Sequence, residues 1–386
     1  MVYNFNEEIN RKNTNCAKWD GLEKYFGYED LNPLWVADMD FKTPKFINDA
    51  IINAVSNSVY GYSIVSKELL NSIVNWQKNQ HNWEVKPDDI FMANGVVPSY
   101  SACIEAFSDI GDEVIVQTPI YPPLFNCINT NNRKVVVNEL KNDNGYYTMD
   151  LEDLKSKITS KTKILALCSP HNPVGRVWSK TELEQLAQIC IDNNIIIIAD
   201  EIHSDLAFEK FIPIASISEK IANQTLTLNS AGKTFNIAGL NTSYAISKNK
   251  QILGKFKKEA IKREINSVNF FGYIATQAAY ENGAEFVKQL KEYLKSNIEF
   301  TKNYLQKIDS KISFYTPEAT YLIWLDFNQT NLNHDEIKDI LLTKSKVALN
   351  NGVSFGSNGN GYFRLNIALN QKALEKALKQ IFSEFK

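Results

Sequence analysis

Lys233 is the residue whose surroundings most suggest chemistry. It stands in residues 225–240, TLTLNSAGKTFNIAGL, where an apolar strand runs out at Asn229 and a small-residue turn, Ser230-Ala231-Gly232, leads to the lysine. A lysine amine held just past a strand end suits a Schiff base with pyridoxal 5'-phosphate. The Ser230 hydroxyl and the backbone N–H groups of the turn can grip a phosphate. Strand, turn and lysine are a common combination, and most lysines are only solvated charges. Three other segments supply what such a site still needs.

The run Ile195-Ile196-Ile197-Ile198-Ala199-Asp200-Glu201 reads as a strand buried on both faces of a parallel sheet. Asp200 falls at its C-terminal end, where open α/β sheets bind ligands. A carboxylate there can pair with a protonated pyridine nitrogen and keep the ring electron-withdrawing; its plainer role is to cap the next helix. The second segment, Lys163-Ile164-Leu165-Ala166-Leu167-Cys168, ends in Ser169-Pro170-His171-Asn172-Pro173. Asn172 can donate to the phenolate oxygen of such a ring or simply serve the turn. A capping box at Ser179-Lys180-Thr181-Glu182 opens the helix that follows.

The third segment is Met92-Ala93-Asn94-Gly95-Val96-Val97-Pro98-Ser99, ahead of a helical run over 100–107. The N–H groups of Gly95, Val96 and Val97 at that helix start can cradle a phosphate. Further on, Tyr121 follows the strand Glu113-Val114-Ile115-Val116. It can stack on the ring, though a tyrosine at a strand end is more often core packing.

Phosphate grip, stacking ring, phenolate donor, pyridinium partner and Schiff-base lysine come in an order that resembles the fold type I pyridoxal-phosphate enzymes, the class I/II aminotransferase superfamily. Within it the chain is most similar to the MalY/PatB family of cystathionine β-lyases, or C–S lyases. That finer match is carried by Trp35-Val36-Ala37-Asp38-Met39-Asp40-Phe41, Tyr60-Gly61-Tyr62-Ser63, Asp200-Glu201-Ile202-His203-Ser204-Asp205, Lys233-Thr234-Phe235-Asn236-Ile237-Ala238-Gly239-Leu240 and Thr320-Tyr321-Leu322-Ile323-Trp324-Leu325-Asp326. It runs from about residue 20 to the end.

The resemblance implies an α/β fold. A large cofactor-binding domain over 45–283 would hold a mostly parallel seven-stranded sheet sandwiched by helices, and residues 1–44 and 284–386 would form a small α+β domain. It also implies a homodimer in which Tyr62 reaches the phosphate of the neighbouring subunit's site. Many class I aminotransferases carry a phosphate-gripping arginine eight residues after the lysine; here that position is Asn241. Many carry a tyrosine three residues after the pyridinium-binding aspartate, where this chain has His203. Both differences resemble the lyase group, and His203 is expected to be a polar contact near the cofactor rather than a base. Another difference cuts the other way: Asn350-Asn351-Gly352-Val353-Ser354-Phe355-Gly356 stands where a proline-glycine pair is expected.

Arg364, in Gly361-Tyr362-Phe363-Arg364-Leu365-Asn366, lies within an apolar strand and must be paired if buried. Its planar fork suits a substrate α-carboxylate, the alternative being an interdomain salt bridge. Asp38 and Asp40 are read as a structural acidic loop at the site mouth, with the backbone of Val36 and Ala37 near the substrate.

The elements that must hold these residues are legible from pattern. Helices are expected over 43–57, 66–79, 251–264, 272–305, 334–344 and 371–385. Strands alternate with amphipathic segments from 91 to 246, and a strand-rich tail at 312–315, 320–327 and 362–367 suits the small domain. The 386 residues exceed one typical domain, and a 44% hydrophobic content allows a large core. A net charge of −2 points to neither nucleic acid nor anionic membrane as partner. Five cysteines without a C-x-x-C, and four histidines without metal spacing, argue against a disulfide framework or a zinc site. With a polar N-terminus and no apolar run near ~20 residues, a cytoplasmic protein is expected.

In the expected chemistry Lys233 abstracts the α-proton of an amino acid, the ring stabilised by Asp200 takes up the charge, and a β-thiolate leaves with a proton from Lys233 or Tyr121. L-Cystathionine would give homocysteine, pyruvate and ammonia; cysteine, cystine or other S-conjugates would react alike. Transamination uses the same residues and is the chief rival. A protein that keeps the fold to bind a regulatory partner, alone or beside lyase activity, is the other.

Overall fold

Seven short strands form one sheet in the computed structural model, which describes residues 2–57 and 59–385. They are β1 (Ile90–Ala93), β2 (Glu113–Thr118), β3 (Lys134–Glu139), β4 (Thr162–Cys168), β5 (Ile196–Asp200), β6 (Thr225–Asn229) and β7 (Ser243–Ile246), in the spatial order β1-β7-β6-β5-β4-β2-β3. The pairs from β6 across to β3 are parallel; β7 runs antiparallel to both β6 and β1.

The central strands are apolar because helices cover both faces. Ile164, Ala166, Ile198, Leu226 and Leu228 pack with Tyr100, Cys103, Leu124, Leu253 and Phe256 on one side. The alternate residues Leu165, Leu167, Ile197 and Ala199 pack with Leu183, Leu186, Ala187 and Cys190 on the other, as the two-residue strand period requires. The helix Lys180–Asp192 opens with the expected box: Ser179 Oγ accepts from the Glu182 N–H, and Glu182 returns a carboxylate to the Ser179 N–H.

A second, antiparallel sheet joins Leu322–Asp326, Tyr362–Asn366 and Asn350–Asn351. The helices Ala284–Lys307 and Gln371–Phe382 belong to the core that backs it. The N-terminal segment joins this region through Asn32–Pro33, parallel to Val347–Ala348. Asn366 Nδ2 fastens the next residues by donating to the carbonyls of Val36 and Asp38.

Three expectations are corrected. The helical run over 272–305 is two helices, Phe270–Asn282 and Ala284–Lys307, broken at Gly283. A Cβ there would lie 2.3 Å from both the Ala279 carbonyl and the Phe235 ring, so the break lets helix backbone pack directly on the turn that carries Lys233. The strand expected at 312–315 reduces to one bridge between Ser313 and Asp326. The helix expected from residue 100 begins at Val96, with Pro98 in its first turn, where a missing N–H costs nothing.

Because β7 is antiparallel to β1 and β6, the C-terminal ends of β1, β2, β4, β5 and β6 share one edge of the sheet. The segments singled out above as chemistry-bearing all emerge there.

Candidate active site

A cleft of about 230 Å³ lies at that edge, and its lining includes Ala37, Gly95, Val96, Val97, Tyr121, Asn172, Asp200, His203, Ser230 and Lys233. Residues from six separate parts of the chain therefore meet as expected. Arg364 adjoins them through Asn172: its Nη1 donates to Asn172 Oδ1 at 2.9 Å. Val36 stays beside the cleft, held by its carbonyl to Asn366. Tyr62 does not join; its side chain is fully exposed, in a run with exposed Val59, Tyr60 and Ile64.

Lys233 is fixed by the turn around it. Thr234 Oγ1 donates to Asp205, a buried carboxylate that also meets Trp76 Nε1 and His81 Nε2. Asn236, at a left-handed φ of 58°, exchanges hydrogen bonds with the Met39 backbone and donates to the Phe41 carbonyl. Its amide ties the lysine turn to the loop over 35–41. Lys233 Nζ donates to the Ala37 carbonyl at 2.7 Å. Burial, with the positive Arg364 nearby, lowers its pKa to about 8 against the pull of Asp38 and Asp200, so a free amine is accessible near neutral pH.

Asp200 ends β5 with its Oδ1 accepting from the Ile202 N–H at 3.1 Å. Burial raises its pKa to about 6, opposed by that N–H and by Lys233. His203 goes the other way: burial and the positive Lys233 and Arg364 push it down to about 3. Its imidazole is neutral, and its Nδ1 has no partner. Tyr121 is raised, chiefly by burial, so its phenol keeps its proton at neutral pH.

The backbone N–H groups expected to cradle a phosphate are only partly free. The Gly95 N–H is already given to Ser243 Oγ at 3.0 Å. That leaves the N–H groups of Val96 and Val97, which open the helix Val96–Phe107 and have no helical partner. The Ser230 hydroxyl donates to the Thr242 carbonyl and accepts from the Gly232 N–H, so it must turn to reach an anion. Asn241, left-handed at φ 47°, and Thr242 also line this end of the cleft.

Several contributors were missed. Tyr321 donates its hydroxyl to the Ala37 carbonyl at 3.0 Å. Arg11 pairs with both Asp38 and Asp40 at 2.7 Å, and buried Lys18 reaches Asp40 at 2.8 Å. This cage confirms a structural role for the two aspartates and anchors the Ala37 loop. Arg11 lies far from any motif, so its pairing left no local signal.

The groups gathered at the cleft suit pyridoxal 5'-phosphate. They are a buried carboxylate for a pyridinium, an Asn172 amide nitrogen without a protein partner for a phenolate, two helix-start N–H groups for a phosphate, and a lysine amine for the aldehyde. Among the described residues no cluster of His, Cys, Asp or Glu could hold a metal ion, and the cysteines are free. Among the described residues no helix is long and apolar enough to cross a membrane.

Comparison with known proteins agrees. Residues 34–381 match the family model "Aminotransferase class I and II". The chain is 35% identical over 381 residues to cystathionine beta-lyase PatB of Bacillus subtilis, covering 98% of each. It superposes on a pyridoxal-phosphate-bound protein of Clostridium difficile 630 with a TM-score of 0.98, at 41% identity and with 100% of each chain covered. Cystalysin of Treponema denticola, which contains a pyridoxal 5'-phosphate cofactor, gives 0.95 at 31% identity over 100% of this chain and 99% of that one. The chain belongs to the aminotransferase class I and II family, in the group that includes PatB.

Proposed function

We propose that the chain is a pyridoxal-5'-phosphate-dependent C–S lyase that cleaves L-cystathionine, or a related cysteine S-conjugate, to a thiol, pyruvate and ammonia. The bound cofactor supplies an electron sink for the pair left when the Cα–H bond breaks. Lys233, Asp200, Asn172, Val96, Val97 and Ser230 would hold it.

The observation that carries the reading of this site as acting on an amino acid is the pairing of a depressed lysine with one uncompensated guanidinium. Arg364 is buried and its hydrogen-bond acceptors among the described residues are all neutral, which favours a substrate α-carboxylate over an interdomain salt bridge as its partner. Burial lowers its pKa to about 10, so it stays charged. Lys233 Nζ then takes the α-proton. Loss of the thiolate breaks the Cβ–S bond and leaves 2-aminoacrylate, which water converts to pyruvate and ammonia without net redox change. The protonated Tyr121 or Lys233 returns a proton to the sulfur.

Lys233 is the one cationic residue among those lining the cleft, and Arg364 serves a single carboxylate. Within a single chain that favours a substrate with an apolar or thioether arm over a dicarboxylate donor for transamination. A homodimer completes the reading: the exposed Val59, Tyr60, Tyr62 and Ile64 meet a second copy and carry Tyr62 to its phosphate. The intact site weighs against a purely regulatory protein, and a cytoplasmic setting accords with free cysteines.

The test is a steady-state comparison of two substrate mixtures: a cysteine S-conjugate alone, and an amino-acid donor with a 2-oxo acid. Sustained turnover of the first is expected. Turnover confined to the second would move the assignment to an aminotransferase.

A further inference from the structure

The guanidinium of Arg364 is held by three protein acceptors, and all three are neutral. Nη1 donates to Asn172 Oδ1 at 2.9 Å, and Nη2 to the Trp35 carbonyl at 2.9 Å and to Asn350 Oδ1, while Nε has no acceptor. A buried cation without an anion is costly to hold, so a fold does not keep one without a use.

Asn350 comes from the segment that departs from the expected proline-glycine pattern, and the sheet register explains its place. Asn350 is directly opposite Arg364 across an antiparallel pair, where facing side chains lie close. The next residue points the other way. Asn351 Oδ1 meets His334 Nε2 at 2.6 Å and caps the following turn through the Val353 N–H. His334 Nδ1 accepts from the Gly361 N–H at 3.0 Å, so Nε2 carries the ring proton and donates to Asn351. This pins the register, because a slip by one residue would swap the two asparagines. The same loop brings the Phe355 ring to 5.1 Å from the Arg364 guanidinium carbon, and the Phe355 carbonyl accepts from the Ile120 N–H beside Tyr121.

We propose that Asn350 is a positioning residue that aims Arg364 without cancelling its charge, so that the guanidinium stays available to an amino-acid α-carboxylate. This rests on the reading of Arg364 as the carboxylate grip. An aspartate at the same position would have the same shape and the opposite effect: it would satisfy the guanidinium internally and repel the incoming carboxylate.

The test is equilibrium binding to the cofactor-loaded protein, read as the change in cofactor absorbance. One probe is L-alanine, which has no β leaving group. The other is L-alaninamide, which keeps the amine and lacks the carboxylate. Asn350→Asp is expected to weaken L-alanine by about 100-fold while L-alaninamide moves by less than about threefold, and Asn350→Ala to weaken L-alanine by about tenfold.

Arg364→Lys separates the two layers. If it weakens L-alanine and Asn350→Asp does not, the role of Asn350 is overturned and the carboxylate grip stands. If Arg364→Lys leaves L-alanine unaffected, the grip itself falls. Should Asn350→Asp fail to load cofactor, Asn350→Ala decides, since unchanged L-alanine affinity there overturns the inference.

Discussion

The Ala37 carbonyl oxygen accepts two hydrogen bonds, from Lys233 Nζ at 2.7 Å and from the Tyr321 hydroxyl at 3.0 Å. One backbone atom of the N-terminal loop therefore links the lysine of the large sheet to a tyrosine next to the small sheet.

Because burial depresses its pKa, Lys233 is expected to destabilise the cofactor-free protein. Below pH 8 both folded and unfolded chains carry the ammonium and the fold bears its full burial penalty. Between pH 8 and 10.5, the ordinary value of a lysine, the unfolded chain holds more protons, so stability rises with pH across that window. Lys233→Met is expected to stabilise the cofactor-free protein by about 1–2 kcal/mol at pH 7, allowing for partial solvent access, with the gain shrinking toward pH 10.5. Turnover should fall by about 10³-fold or more. Thermal unfolding at the two pH values checks the first part, and a lower Tm for the variant would contradict it.

His203 should not titrate in the working pH range, because its pKa lies at about 3. His203→Asn is expected to lower kcat by less than about tenfold and to leave both limbs of the kcat/KM pH profile in place. Disappearance of an acidic limb in the variant would show that the imidazole gains and loses a catalytic proton after all.

Arg11 holds the loop that places Ala37. Arg11→Ala leaves Lys18 as the remaining cation beside Asp38 and Asp40 among the described residues and is expected to cost about 1–3 kcal/mol of stability. KM for the amino acid should rise more than kcat falls. Arg11→Lys should restore only part of both, since one ammonium cannot replace a fork that reaches two carboxylates. Urea unfolding and steady-state kinetics together test this; equal values for wild type and Arg11→Ala would remove the cage from the account.

Tyr62 is fully exposed on its own chain, and its proposed role needs a second copy. Tyr62→Phe should preserve the dimer and weaken cofactor retention by about tenfold, measured by dialysis and absorbance. A wild-type protein that sediments as a monomer while retaining its cofactor would refute the shared site.

Much of this was legible in the sequence because the site sits at strand ends. Runs such as Ile195-Ile196-Ile197-Ile198 announce buried strands, and the polar residue that terminates each is placed by topology at a shared edge. Asp200, Asn172, Tyr121 and Lys233 were located in that way. Contacts between residues distant in the chain were not. The Gly95 N–H is taken by Ser243, and Asp38 and Asp40 are answered by Arg11, through tertiary geometry with no local pattern. Gly283 was unremarkable in a helical run until the Phe235 ring was found against it. The bridge at Ser313 failed to extend into a strand because one pairing outside a sheet does not sustain a ladder.

The most direct test of the central claim is to mix the cofactor-loaded protein with L-cystathionine, in the absence of any 2-oxo acid, and to follow pyruvate and free thiol together. Equal amounts of both, continuing over many turnovers, are the expected result. A protein that forms no pyruvate and stops after converting at most one equivalent of cofactor to its amine form would be a transaminase lacking its acceptor, and would contradict the assignment.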